Sequence, residues 1–113
     1  METSWTKASS DGRKNIGNEF ARIARKKLKN HLKKIVLFGS QARGDSTGAS
    51  DYDILLVVDT KTRTIQDSIL DACVEIMNNY YELIGCLVFD EGEWELRKRF
   101  PIGLNILKEG IEL

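Results

Sequence analysis

Two short runs of this chain carry residue types that could do chemistry together. Gly39-Ser40-Gln41-Ala42-Arg43-Gly44 follows an apolar run that stops abruptly, and Ser50-Asp51-Tyr52-Asp53-Ile54 leads into another. A glycine at a strand end lets the backbone turn tightly and lets a phosphate approach with no side chain in the way. A helical turn starting there offers unpaired N–H groups and the positive end of its dipole to that anion. Ser40 adds a hydroxyl donor, and Arg43, one turn on, adds a cation. Asp51 and Asp53 stand two apart on a strand-like run, so their side chains leave the same face. Two carboxylates that close are unfavourable unless a cation or a cluster of donors neutralises them. Hard divalent ions such as Mg²⁺ take such oxygens together with phosphate oxygens and water. A Gly-Ser turn alone is usually only a turn, and Asp51 alone could simply cap one. The two motifs a short loop apart point instead to a metal-bound nucleoside triphosphate.

The surrounding pattern indicates which elements hold these motifs. Ile16, Phe20, Ile23, Ala24, Leu28 and Leu32 recur at helical spacing, with Arg22, Arg25, Lys26, Lys29 and Lys33 on the other face. That spacing predicts a helix to about Lys33, capped by Asn15 or Asn18. Ile35–Phe38 reads as a short buried strand, and a helical turn runs from Gln41 until Gly44 ends it. Asp45–Ser50 reads as a loop. Asp51–Val58 is β-rich and apolar on both faces, as a central strand should be. A second helix is expected over Ile65–Tyr80, with Ile65, Ile69, Cys73, Ile76, Met77 and Tyr80 on its core stripe. A third strand follows over Leu83–Phe89, then a short helix over Glu93–Phe100. Pro101 can open a last helix over Ile102–Lys108, which Gly110 closes. This order describes an α/β domain: a small sheet with helices packed mainly on one side.

Bulk properties limit the alternatives. With 113 residues and 42% apolar content, residues 16–113 form a single domain behind a polar segment, 1–15, that is expected to be poorly ordered. No apolar run approaches a membrane span, and the first residues do not resemble a signal peptide, so the cytoplasm is the expected location. The net charge of zero hides an asymmetry. Met1–Gly44 holds eleven Lys+Arg against three acids, and Asp45–Leu113 holds six against fourteen. The basic half could attract nucleic acid, but a solvated helix face explains it first, because the aromatics that would interleave with the cations lie elsewhere. Cys73 and Cys86 match neither a metal knuckle nor a redox pair and read as small buried hydrophobes. His31 has no second ligand at metal-binding spacing and reads as a surface side chain.

The motif Gly39-Ser40-Gln41-Ala42-Arg43-Gly44 with Ser50-Asp51-Tyr52-Asp53-Ile54 resembles the signature of the polymerase-β-like nucleotidyltransferases, closest to their minimal single-domain kind. The ending Asn105–Ile111 also resembles tails in that group. The resemblance implies a mixed sheet flanked by helices and Mg²⁺-dependent transfer of a nucleoside monophosphate, AMP when ATP is the donor, with release of pyrophosphate. On it, Gly39 and Ser40 would hold the β- and γ-phosphates and Arg43 would support the triphosphate, although a surface ion pair is an equally open use of Arg43. Asp51 and Asp53 would be catalytic ligands of two metal ions. The family's third carboxylate lies on the next core strand, and here Leu83–Phe89 contains no acid. Glu82 at its entrance is the nearest substitute, ahead of Asp90 at its exit.

So small a domain leaves little room for an acceptor site, and the resemblance implies a partner: a helical HEPN-domain protein, often a toxin ribonuclease whose tyrosine is adenylylated. A homodimer is left open. The competing reading is a binding module that keeps the fold without turnover, with Trp94, Phe100 or Tyr80-Tyr81 either at an interface or in the core.

Overall fold

This computed structural model describes residues 12–44 and 51–113. The expected loop at 45–50 and the polar segment through residue 11 lie outside the described residues. Helix α1 (Gly12–Leu28) is followed by a 3-10 turn (Lys29–His31), strand β1 (Leu32–Phe38) and the short helix α2 (Gly39–Arg43). Strand β2 (Tyr52–Val58), helix α3 (Arg63–Tyr80) and strand β3 (Ile84–Asp90) come next. Helices α4 (Glu91–Arg97) and α5 (Pro101–Glu109) and the two-residue strand β4 (Ile111–Glu112) complete the chain.

Both ends of α1 differ from the sequence reading. Because α1 already runs at Gly12, Asn15 and Asn18 lie inside it rather than capping it. It also stops at Leu28, five residues short of Lys33, because Lys29 takes a left-handed φ of 54° that no α-helix continues. Leu32 therefore reaches the core from a strand. The 3.6-residue period and the strand period coincide at that position, and this is why the pattern could be read as helix.

The sheet has the order β3-β2-β1-β4. Strand β2 pairs antiparallel with β1 and parallel with β3, and β1 pairs antiparallel with β4. Both faces of β2 are covered, which accounts for its unbroken apolar run. Ile54, Leu56 and Val58 pack with Phe20, Ala24 and Leu28 of α1 and Ile65, Ile69 and Ile76 of α3. Leu55 and Val57 face the other way, against Trp94 of α4 and Ile106 of α5. The helices thus cover both sides of the sheet, not mainly one. Sequence alone could not assign α4 and α5 to a side, because their short apolar stripes fit either.

Strand β4 is too short to show a period, and it was not anticipated. Leu113 N–H donates to Ile35 O (3.0 Å), and Arg25 Nη2 donates to Leu113 O (2.7 Å), so the last residues close the sheet against α1. Trp94 is core, whereas Tyr81 and Phe100 are exposed. Cys73 and Cys86 are only half-buried, and their sulfurs touch at 3.4 Å. Their separation in sequence had concealed this contact, which the packing of α3 on β3 creates.

Candidate active site

The site is built where β1 ends and β2 begins, which the antiparallel register makes the same place. Phe38 pairs with Asp53, so the turn after Phe38 folds directly over the Asp53 side chain. That turn is Gly39, at φ 78°, in a left-handed conformation that L side chains rarely adopt. A β-carbon at residue 39 would stand 2.5 Å from Asp53 Oδ2. Both its conformation and its neighbour therefore require glycine. Gly39 starts α2, and Gly44, at φ 83°, ends it with its N–H on Ser40 O (2.9 Å). The helix is anchored by Gln41, the buried polar side chain of the core, and Ala42 packs against the same cluster.

Ser40 is half-buried beside the glycine. Arg43 lies at the far end of α2, where Nη1 donates to Glu109 Oε1 of α5 at 3.1 Å. The ion-pair reading of Arg43 is thus satisfied in this structure, and the pair is exposed enough to exchange partners at small cost.

Asp51 is exposed at the entrance of β2, and Asp53 is half-buried one pleat further in. Burial pushes the Asp53 carboxyl above its ordinary value, and the neighbouring Asp51 charge pushes it further the same way. On the other side of Asp53 its parallel partner in β3 is Gly85, where an added β-carbon would lie 3.5 Å from Asp53 Oδ1. Asp53 is therefore set between two glycines, Gly39 in the turn after β1 and Gly85 on β3. The second is the position from which an acid on β3 would reach the pair.

The two acids named as substitutes stand elsewhere. Asp90 pairs with Val58 at the opposite end of the ladder, and it caps α4. Its Oδ1 accepts from Glu93 N (2.8 Å) while Glu93 Oε1 accepts from Asp90 N (3.0 Å), a reciprocal capping box. Glu82 is half-buried in the short link between α3 and β3. Among the described residues no group of three His, Cys, Asp or Glu side chains is placed to hold a metal. His31 is exposed, with Nδ1 3.0 Å from Asp59 Oδ2, and takes no part in the site. The role of Gly85 was missed from sequence. Its signal was a glycine inside an otherwise β-rich run, which often marks close approach of another group.

Chemically, this arrangement offers an anion-accepting turn over a carboxylate pair that is short of counter-charge. Among known proteins, residues 18–108 match the nucleotidyltransferase domain family. A Methanocaldococcus jannaschii protein provisionally named a protein adenylyltransferase is 36% identical over 92 residues, covering 81% of this chain and 88% of its own length. A crystal structure from Sulfolobus solfataricus, provisionally named a nucleotidyltransferase, superposes with a TM-score of 0.58 at 22% identity, over 98% of this chain and 87% of that one. A toxin–antitoxin complex with AMP-PNP gives a TM-score of 0.58 at 16% identity, over 85% of this chain and 70% of that one. The complex of a tri-AMPylated Shewanella oneidensis HEPN toxin with its MNT antitoxin gives 0.53 at 14% identity, over 88% and 70%. These three share the fold. With the family matched over most of its length and the glycine turn seated on Asp53, the chain belongs to the nucleotidyltransferase domain family.

Proposed function

We propose that this nucleotidyltransferase moves AMP from ATP to a hydroxyl on a partner protein. The observation that carries the reading is the Gly39 backbone lying against Asp53, which sets a phosphate-accepting turn directly beside one carboxylate of the Asp51/Asp53 motif. The donor set fits a hard divalent cation: two carboxylates on one strand end, one of them partly desolvated and repelled by the other. Asp51 and Asp53 would hold Mg²⁺, one ion or two. Bound there, the metal neutralises charge on the triphosphate and on the leaving pyrophosphate.

The chain's own residues supply the rest. Backbone N–H groups of the Gly39-Ser40 turn and the Ser40 hydroxyl donate to the β- and γ-phosphates, and Arg43 exchanges Glu109 for the triphosphate. The acceptor oxygen attacks the α-phosphorus, the bond to the bridging oxygen breaks, and pyrophosphate leaves. Glu82 takes the hydroxyl proton if the link that carries it closes on the acceptor.

Support for a protein acceptor comes from the name of the M. jannaschii relative, and support for a HEPN-domain partner from the toxin–antitoxin neighbours. Leu96 of α4, Phe100 in the link that follows it, and Ile102, Leu104 and Leu107 of α5 are apolar and exposed, as a partner-binding surface requires. A second reading, a nucleotide-binding module with slow turnover, is favoured by one observation, the glycine at position 85 facing Asp53.

Purified protein given α-labelled ATP, Mg²⁺ and a co-expressed partner tests both. Label on the partner that disappears in Asp51→Ala/Asp53→Ala supports transfer. ATP binding without label on any acceptor supports the binding module.

A further inference from the structure

Cys73 and Cys86 take no part in this chemistry, yet the fold brings them together. Cys73 lies on the core stripe of α3, between Ile69 and Ile76, and Cys86 points to the same helix from β3. Their sulfurs are 3.4 Å apart, so a covalent bond requires them to close by only about 1.4 Å. The contact is not sealed. It forms the floor of a solvent-open groove of about 250 Å³ between α3 and β3, lined also by Ile69, Leu70, Ile84 and Val88. A fully buried structural cysteine is inert; this pair instead lines an open groove.

We propose that Cys73 and Cys86 form a redox modification site, a dithiol that hydrogen peroxide converts to an intrachain disulfide. The two thiols are not equivalent. The contact between the two sulfurs holds the Cys73 thiol below its ordinary range, while the same contact and burial push Cys86 up. Cys73 is therefore the attacking thiolate. Its sulfur takes one peroxide oxygen, the O–O bond breaks, and the departing hydroxide leaves as water with the proton Cys73 had lost. The Cys86 sulfur then attacks the Cys73 sulfenic acid, the S–O bond breaks, and a second water carries away the Cys86 proton. Two electrons pass from the thiols to the peroxide. Because Cys86 follows Gly85, the bond fastens to α3 the strand that flanks Asp53.

The full chain treated with hydrogen peroxide, then unfolded and alkylated, provides the test by intact mass. The expected product is about 2 Da lighter than the reduced protein, carries no alkyl group, and returns to two alkylated cysteines after dithiothreitol. Cys73→Ala and Cys86→Ala should each abolish the mass loss, with far-UV circular dichroism showing that both variants stay folded. Alkylation of both cysteines after peroxide, or a disulfide found only between two chains on a non-reducing gel, would overturn the proposal.

Discussion

Gly39 and Asp53 share one small volume: a β-carbon on the first would sit 2.5 Å from a carboxylate oxygen of the second. The contact follows from the Phe38–Asp53 register of β1 and β2, and it ties the geometry of the phosphate turn to that of the acid pair. Gly39→Ala faces both a left-handed backbone and this collision, and should lower stability by about 1–3 kcal/mol. Nucleotide affinity should fall by about tenfold or more, since the turn and Asp53 cannot both keep their places. Gly85→Ala, whose new carbon makes an ordinary 3.5 Å contact with the same carboxylate, should stay within about 0.5 kcal/mol of the parent. Urea unfolding and calorimetric titration with a non-hydrolysable ATP analogue check both.

Gly85 also marks where an acid would complete the pair. Gly85→Asp should place a third carboxylate beside Asp53 and destabilise the metal-free protein by about 1 kcal/mol through like-charge repulsion. Millimolar Mg²⁺ should recover that loss and stabilise the variant more than it stabilises the parent. Melting temperatures with and without Mg²⁺ give the comparison, and an equal Mg²⁺ response in the two proteins would refute this placement of the site.

The Arg43–Glu109 pair makes nucleotide binding a competition. Glu109→Gln should raise ATP affinity by about two- to fivefold, because an exposed pair of this kind contributes no more than about 1 kcal/mol. Arg43→Ala should weaken binding by about tenfold, the loss of one charge-assisted contact to phosphate. Titration calorimetry at fixed ionic strength separates the two effects.

Asp59 provides a pH prediction away from the site. Its hydrogen bond with His31 holds the carboxyl below the ordinary value of 3.8. A carboxyl depressed in the folded state stabilises above its unfolded value and loses that contribution as acid is added through the folded one. Asp59→Asn should therefore flatten the decline of the urea midpoint below pH 3.8 and leave the profile above it parallel to the parent's. A matching slope in both proteins would show that the contact does not form in solution.

What could be read from the sequence divides along physical lines. Features set by local chemistry were legible: the glycine that ends β1, the turn capped by Gly44, the acid pair entering β2, and Pro101 opening α5. What depended on long-range placement was not. The side of the sheet that α4 and α5 cover, the two residues of β4 and the Cys73–Cys86 contact all come from packing between segments far apart in the chain. The third acid shows the limit most clearly, since its place had to be sought on β3 without knowing which residue lies opposite Asp53. The residue that pairs with Asp53 there is a glycine, and only the register reveals it.

Strand β2 has hydrogen-bonded neighbours along both edges, whereas β3 has one among the described residues. Brief local openings of a fold release the singly held elements first. Amide protons along Ile54–Val57 should therefore exchange with solvent only when the whole domain unfolds, and those of the outer edge of β3 well before. Asp53 thus rides on the slowest-opening part of the molecule, while the strand beside it can loosen and re-form.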